Sequence, residues 1–401
     1  MALTNTLSSY GSITRMLHWL TALLVVTLIP VAVIANQLPY DTSEQLARKA
    51  WLFSLHKTLG VSVFFVALVR IIWAMSQPKP VPLHPERKTE TFMAETAHWL
   101  LYGSLVLAPL SGWLHHAATA GFAPIWWPFD QDLPMVPKSD SAAALFGGAH
   151  WVFGKVMAAS ILLHIAGAVK HQIIDRDATL ARMWRGATAP LNAAAVRHSM
   201  LPLAGALAIW AVTLGAGAAF GLYAPHTASV DAAALEEVAS DWQVQDGTIS
   251  IAVMQFGSTV EGSFGDWTAD IAFDPAKPGG IAGSVEVVIA IGSLTIGSVT
   301  DQAMGPDFFD AGTFPTATYQ ADLIAGVDGY EAVGTLTIRD QTVPLTMPFR
   351  LSVNGDEANM QANLTLDRRD FDVGNNMSDE SSLGFSVDVS VALTATRSTA
   401  D

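Results

Sequence analysis

Five long apolar stretches dominate the first half of the sequence. They cover residues 13–35, 52–75, 92–115, 149–173 and 200–223. Each is long enough to cross ~30 Å of hydrocarbon at ~1.5 Å per residue. The pattern predicts five transmembrane helices, the first four forming a bundle and the fifth a tether or packing helix. A cleaved signal peptide is the alternative for the first stretch, although its charged region is meagre and His18 lies near its start.

The second half changes to a period of two. Apolar and polar residues alternate over short segments separated by Gly, Asp, Asn and Pro turns, as in residues 248–253, 284–289, 334–338 and 385–391. About eight such strands predict an antiparallel barrel that encloses one elongated ligand. The chain is therefore predicted to be a multidomain protein, with an all-α transmembrane part followed by an all-β part.

Composition and charge agree with this division. The 401 residues are 51% hydrophobic and only 14% charged, which is typical of a membrane protein. The net charge is -15, yet from residue 226 onward there are 26 acidic and 6 basic residues, so the first half is basic. The absence of cysteine excludes disulfides and iron–sulfur clusters with thiolate ligands.

Basic residues also indicate an orientation. They concentrate between the second and third and between the fourth and fifth apolar stretches, at Lys79, Arg87, Lys88, Arg176, Arg182, Arg185 and Arg197. Loops rich in lysine and arginine face the cytoplasm. We therefore expect a multi-pass protein of the bacterial inner membrane, with a cytoplasmic N-terminus and a periplasmic acidic domain.

Histidines in the apolar stretches carry the candidate chemistry. His150 and His164 are 14 residues apart on one predicted helix, which corresponds to ~21 Å of rise on nearly the same face. The predicted topology places His18 at the depth of His164, and His56 at the depth of His150. Two bis-histidine sites follow, and such pairs on facing helices hold haem iron. Zinc is a weaker alternative, because neither pair has a nearby third or fourth protein ligand. A second alternative is that each histidine lies at the membrane interface or forms a hydrogen bond between helices.

Residues 8–186 resemble the bacterial cytochrome b561 family. The resemblance rests on four stretches in order, at residues 12–19, 55–60, 97–113 and 150–183, which include the four paired histidines. It implies a four-helix bundle with two b haems held by His18, His56, His150 and His164. Members exchange electrons with quinones, and some are similar to superoxide oxidases that reduce ubiquinone.

Further polar residues are candidates for haem propionate or quinone contacts. Arg70 and Lys57 are candidate propionate partners, although such charges also snorkel to the membrane interface. His98 faces a propionate, a quinone or simply the interface, and His171 is a rival to His164 as a ligand. His115 and His116, at the other end of the third apolar stretch, are candidates for contact with a quinone or an electron donor.

Residues 240–398 look like a YceI-like domain, a lipocalin-like periplasmic barrel. The matching stretches are residues 262–264, 273–275, 307–310, 334–339 and 367–371, whereas Asp372 and Val373 follow where the family often has glycine. The resemblance implies a lumen for a polyisoprenoid, such as the tail of an isoprenoid quinone. The candidate lining residues, for which ordinary core packing is the alternative role, are Phe264, Trp267, Phe308, Phe309 and Phe371.

The combined hypothesis is a membrane-bound diheme b-type cytochrome that carries electrons between a periplasmic or quinone donor and a quinone acceptor. The predicted domains cover residues 8–186, 198–224 for the fifth helix, and 240–398. The expected cofactors are two haem b and an isoprenoid quinone, and the expected partners are the lipid bilayer and an unknown electron donor. Alternatives are a superoxide oxidase, which an acidic outer domain disfavours, and an anchored isoprenoid-binding or stress-response protein. No nucleotide-binding fingerprint follows a strand, and nucleic acid is not an expected partner.

Overall fold

The computed structural model describes residues 2–119, 122–188, 199–225, 230–236, 238–274, 280–326 and 329–398. Arg197, Pro275 and the boundary positions 198 and 226, which the sequence predictions used, lie outside these ranges. The chain forms two compact units. The first comprises Met1–Gln37, Trp51–Thr119 and Ile125–Pro225, and the second comprises Leu38–Ala50, Ala120–Pro124 and His226–Asp401.

Long helices account for most of the N-terminal half. They are α1 (Ser12–Gln37), α2 (Ser43–Met75), α3 (Lys88–Ala118) and α4 (Asp140–Lys170). Helix α4 continues into a wider π-helical turn over His171–Asp175, followed by α5 (Thr179–Trp184) and α6 (Leu201–Ala219). Ser139 caps α4 by accepting a hydrogen bond from the Ala142 N–H, and Asp140 adds a negative charge where the helix dipole favours it.

Four helices in the described part of the chain are long and apolar enough to cross a membrane. They are Ser12–Gln37, Ser43–Met75, Asp140–Asp175 and Leu201–Ala219. Helix α3 has 31 residues but a more polar composition, and its crossing of the membrane stays a prediction. Its buried serines suit apolar surroundings, because Ser104 and Ser111 donate to the Leu100 and Leu107 carbonyls of their own helix at 2.7 and 2.6 Å.

Helix α6 packs against the bundle and does not hang from it as a bare tether. Its Trp210 ring lies 4.9 Å from the Phe153 ring of α4 in an edge-to-face contact. Both residues belong to a buried cluster with Leu100 and Ala108 of α3. A side chain at Gly103 of α3 would approach Trp210 Nε1 to 3.3 Å, so the small residue allows this close approach.

The C-terminal half is a curled antiparallel sheet of ten strands. In chain order they are β1 (Trp242–Gln255), β2 (Ser258–Phe264), β3 (Trp267–Phe273), β4 (Gly280–Ala290), β5 (Leu294–Thr295), β6 (Thr316–Ala325), β7 (Tyr330–Ile338), β8 (Gln341–Asn354), β9 (Glu357–Asp367) and β10 (Ser386–Arg397). A short helix α7 (Thr300–Met304) precedes β6. The spatial order is β3-β4-β6-β7-β8-β9-β10-β1-β2-β5. The predicted barrel-like β fold is confirmed, although sequence alternation had indicated about eight strands, because a strand as short as β5 has no readable period.

Side chains join strand β3 to the start of strand β1. Ser240 Oγ accepts a hydrogen bond from the Ile271 N–H at 2.7 Å, and Trp242 Nε1 donates to the Phe273 carbonyl at 2.9 Å. The backbone ladders among the described residues leave β3 and β5 as the two edges of the sheet. These bonds therefore satisfy edge groups of β3 and help the sheet to curl around its apolar face.

Arg368 holds the segment between β9 and β10. Its buried guanidinium donates to five backbone carbonyls, those of Val373, Gly374, Met377, Leu383 and Gly384. Burial lowers the pKa of this guanidinium, but arginine keeps its charge. The neighbouring Asp372 adopts the left-handed conformation, with φ at 54°, at the position where the family often has glycine. Aspartate tolerates this conformation better than most residues.

We expect Arg368→Met to lower the free energy of unfolding by about 3 kcal/mol, because it removes a buried guanidinium that donates to five backbone carbonyls of this segment. Chemical denaturation followed by tryptophan fluorescence measures the change. Arg350→Met, at an exposed position of strand β8, is the control and should change stability by less than about 0.5 kcal/mol. Equal effects of the two substitutions would contradict this role of Arg368.

Candidate functional site

Two pairs of imidazole rings lie between the long helices. The rings of His18 and His164 are 6.2 Å apart between centroids, and those of His56 and His150 are 6.3 Å apart. Metal–imidazole bonds of about 2 Å place two axial nitrogens about 4 Å apart across an iron, with the ring centres farther out. Both separations therefore suit a shared metal between the rings. The structure brings together the same pairs that depth in the membrane predicted.

Backbone carbonyls orient the His56–His150 pair. Nδ1 of His56 lies 3.2 Å from the Leu28 carbonyl of α1, and Nδ1 of His150 lies 2.7 Å from the Ala108 carbonyl of α3. A carbonyl only accepts, so each Nδ1 carries the proton and donates it. Both Nε2 atoms are then free to bind a metal, which is the tautomer that metal-binding histidines adopt. The donor set at this level fits a haem iron.

The His18–His164 pair has a different polar environment. Arg70 Nη2 lies 3.2 Å from His18 Nδ1, and the Arg70 guanidinium lies 5.4 Å from the centre of the Tyr102 ring. The His98 ring is 5.0 Å from that of His164, and its Nδ1 lies 2.6 Å from the Ala94 carbonyl. A permanent positive charge therefore stands beside this pair, where an anionic group of a cofactor is most easily compensated.

Gly112 makes room for the His150 ring. A Cβ atom at this position would lie 2.8 Å from His150 Nδ1, closer than such atoms pack. A side chain at Gly112 therefore displaces the imidazole from its carbonyl partner. Sequence reasoning had included Gly112 in a family motif without giving it this role.

We expect Gly112→Ala to lower the occupancy of the His56–His150 site by at least about half, because a ring shifted by ~1 Å loses its alignment with the iron. Haem quantitation per chain, with low-temperature spectra, measures this loss. Gly154→Ala, whose Cβ meets nothing within 4 Å, is the matched control on helix α4 and should keep full occupancy. Full occupancy in Gly112→Ala would contradict the close-packing argument.

The other candidate histidines have separate environments. His171 Nδ1 lies 2.6 Å from Asp177 Oδ2, and His84 Nε2 lies 3.2 Å from the same oxygen, with the two rings stacked at 6.4 Å. His115 and His116 are neighbours with centroids 4.9 Å apart, and His115 Nδ1 lies 2.8 Å from the Ala143 carbonyl. Sequence reasoning missed His84, although the acidic residues that follow helix α4 are a signal for such a partner.

An ion-pair network surrounds His171. Its carboxylates Glu90 and Asp175 have the donor types and spacing of a cation site. However, Lys170 Nζ lies 2.8 Å from Glu90 Oε1 and 2.9 Å from Asp175 Oδ2. Arg87 Nη1 lies 3.1 Å from Asp175 Oδ1. These side chains already supply the positive charge that a metal ion would bring. The network therefore holds the ends of helices α3 and α4 together.

The curled sheet encloses an apolar cavity of about 280 Å³. All five aromatic residues predicted to line a lumen do line this cavity: Phe264, Trp267, Phe308, Phe309 and Phe371. Its wall also carries Tyr319, whose hydroxyl donates to the Ala332 carbonyl at 2.7 Å. Burial raises the pKa of Tyr319 to about 12, so the Tyr319 hydroxyl is uncharged at neutral pH. The cavity suits an apolar, elongated ligand.

Lys57, the remaining candidate for a propionate contact, is buried on helix α2 next to His56.

A bundle of apolar helices with two imidazole pairs, followed by a β fold around an apolar cavity, defines the class of membrane cytochromes fused to a lipid-binding barrel. Comparison with known proteins gives the families.

Residues 9–186 match the family model of prokaryotic cytochrome b561, and residues 241–395 match that of the YceI-like domain. Cytochrome b561 homolog 2 of Escherichia coli is 32% identical over 190 residues, which cover 46% of this chain and 95% of the relative. A UPF0312 protein of Yersinia pestis is 29% identical over 150 residues, covering 34% of this chain and 77% of that protein.

Two solved structures resemble the C-terminal half. BcnA of Burkholderia cenocepacia is 31% identical with a TM-score of 0.35, covering 37% of this chain and 96% of that one. The Campylobacter jejuni YCEI protein is 18% identical with a TM-score of 0.32, covering 43% and 95%. The chain belongs to the prokaryotic cytochrome b561 family, and its C-terminal part is a YceI-like domain. Haem and electron transport follow from the family.

Proposed function

We propose that the protein is a diheme b-type cytochrome that exchanges electrons with isoprenoid quinones and binds an isoprenoid chain in its barrel. The observation that carries the diheme part is the pair of centroid separations, 6.2 and 6.3 Å, at two positions along helix α4. His18 with His164, and His56 with His150, would hold the two haems. When bound, each haem supplies a one-electron carrier between ferric and ferrous iron.

Axial ligation by two imidazoles favours electron transfer over oxygen chemistry. A haem held between two imidazoles would have no free position for oxygen and would supply one-electron transfer. The carbonyls of Leu28 and Ala108 keep the His56 and His150 rings in the required tautomer and orientation. Arg70 and Lys57 compensate haem propionates, and His98 and His171 are the proposed contacts for a propionate or a quinone headgroup at their level.

The proposed location is the bacterial inner membrane, with the N-terminus in the cytoplasm and the barrel in the periplasm. The segments between helices α2 and α3 and between α4 and α6 carry six of the 15 basic residues of the first half, and segments rich in lysine and arginine stay in the cytoplasm. Part of this charge is bound within the protein, since the buried Arg182 donates to the Val81 carbonyl at 2.9 Å. Reporter fusions after Met75 and after Tyr223 test the orientation, which predicts opposite sides for the two points.

The barrel is proposed to bind a polyisoprenoid, such as the tail of a quinone. Its apolar cavity carries this proposal, because the wall offers dispersion contacts along an extended chain and few polar groups that need satisfaction. A quinone-reactive cytochrome and an isoprenoid-binding barrel share one ligand class. The fusion therefore places storage or presentation of a quinone in the same chain as its electron transfer.

Full-length protein purified in detergent tests the electron-transfer proposal. We expect two b haems per chain by pyridine haemochrome quantitation, and anaerobic reduction of the haems by decylubiquinol or reoxidation by decylubiquinone. Heat-denatured protein with the same haem load is the control for uncatalysed reaction. One haem or none per chain, or haems inert to both quinone forms, would overturn the proposal.

A further inference from the structure

One polar side chain in the cavity wall lacks a partner. Gln255, the last residue of strand β1, is 5% exposed and lines the cavity. Its Oε1 atom has no hydrogen-bond partner among the described residues. A buried carbonyl oxygen without a donor costs ~1–3 kcal/mol and is rare in folded proteins. An acceptor held in this state inside an apolar cavity points to a donor that the ligand brings.

We propose that Gln255 recognises a hydroxyl group at the polar end of the bound isoprenoid. This inference rests on the proposed lipid-binding function of the barrel. Gln255 Oε1 accepts a hydrogen bond from the ligand O–H, and the apolar chain extends along the remaining wall. The ligand class is then a long isoprenoid that carries a hydroxyl, namely a polyprenol or a hydroquinone.

The cavity is covered near Gln255 by a segment far away in the sequence. Leu46 lines the same cavity, is 2% exposed, and packs in a cluster with Met377 and Leu383. Val253 and Phe256, which flank Gln255 along the chain, pack against this cluster. Water is thereby kept from the amide, so a ligand hydroxyl meets little competition for the oxygen.

Two hydrogen bonds fix the covering segment. Asn376 Nδ2 donates to the Asp41 carbonyl at 2.7 Å, and the Asp379 N–H donates to Ser43 Oγ at 3.1 Å. Both bonds lie within the second compact unit, to which residues Leu38–Ala50 belong. The polar end of the ligand therefore lies at a wall that a YceI-like domain does not contain by itself, because residues 38–50 precede the domain in this chain.

Matched ligands test the proposal on the full-length protein in detergent. The probes are radiolabelled nonaprenol and its methyl ether, which differ only in the ability to donate a hydrogen bond. We expect nonaprenol to bind about tenfold more tightly to the native protein, as for one buried hydrogen bond. A nonaprenyl hydroquinone, added as competitor, distinguishes the two natural sources of the hydroxyl: whichever binds more tightly is the ligand.

Two substitutions locate the effect. Gln255→Met keeps the size of the side chain and removes the acceptor, so the preference for alcohol over ether should fall to about one. Gln361→Met, at an exposed position of strand β9 outside the cavity wall, should keep the tenfold preference. Because the native comparison needs no variant, a folding defect in Gln255→Met leaves the main result intact.

The outcomes separate this inference from the proposed function. If the native protein binds both probes equally, or if Gln255→Met keeps the preference, Gln255 does not recognise the hydroxyl although the barrel binds isoprenoids. If it binds neither probe, isoprenoid binding itself is wrong, and this inference falls with it.

Discussion

Replacing His150 with alanine is expected to remove one of two haems from each chain and to leave the other in place. The substitution takes away a proposed iron ligand whose ring lies 6.3 Å from that of His56. His164→Ala is expected to remove the other haem, because His164 pairs with His18 at 6.2 Å. The double variant should carry no haem. The expected effect is large because a single imidazole rarely retains a b haem that is designed for two.

Reduced-minus-oxidised spectra and haem quantitation on detergent-purified protein measure these losses. His171→Ala is the control. His171 Nδ1 lies 2.6 Å from Asp177 Oδ2 and is not a member of either pair, so this variant should keep both haems. His98→Ala is a sharper control, because its ring lies 5.0 Å from that of His164. If His98→Ala loses a haem and His164→Ala keeps both, then His98 and not His164 is the ligand, and our assignment is wrong.

Filling the barrel cavity is expected to abolish isoprenoid binding. Ala332 of strand β7 is 1% exposed and lines the cavity, so Ala332→Phe places a ring where the ligand chain runs. We expect the affinity for nonaprenol to fall at least about tenfold, because a cavity of this size does not hold both groups. Equilibrium binding to the full-length protein measures the loss.

The adjacent residue provides the control. Val333 is 38% exposed and points to the opposite face of the same strand, so Val333→Phe adds a similar volume outside the cavity. The affinity of the Val333→Phe variant for nonaprenol should equal that of the native protein. Thermal unfolding of both variants shows whether Ala332→Phe has lost its fold by overpacking. A folded Ala332→Phe protein that binds nonaprenol as the native protein does would place the ligand elsewhere.

Haem occupancy and lipid binding are independent readouts in these two experiments. The histidine variants change only helices of the first unit, and Ala332→Phe changes only the second unit. A histidine variant should therefore bind nonaprenol normally, and Ala332→Phe should retain both haems. Effects that cross between the halves would indicate coupling between quinone storage and electron transfer.

Local periodicity predicted most of the architecture. Apolar runs of about 20 residues and alternating segments differ strongly because a membrane helix must be apolar on all sides, whereas a strand around a cavity is apolar on one. The pairing of His18 with His164 and of His56 with His150 also followed from helical rise and depth alone. Helix α3 is not among the helices whose length and composition mark them as candidate membrane spans, since its serines and histidines reduce its apolar character.

Other features depend on contacts between distant parts of the chain. Leu46 has the sequence character of an ordinary helical residue, yet it lines the barrel cavity. Nothing in the local sequence distinguishes Gln255 from an exposed glutamine at the end of a strand, and only its surroundings reveal an acceptor without a partner. The close approach of His150 to Gly112 is likewise a property of two packed helices.

The sequence by itself determined the two-part organisation, the β class of the second half, the four paired histidines and the family resemblances. These depend on periods, spacings and motifs that are local along the chain. Only the tertiary structure decided which carbonyls orient the imidazoles, that His98 and Arg70 stand beside one pair, and that residues 38–50 belong to the barrel unit. The reason is physical: burial, hydrogen-bond partners and the enclosure of a cavity arise from side chains that meet in space, and their meeting is not encoded in any single stretch of sequence.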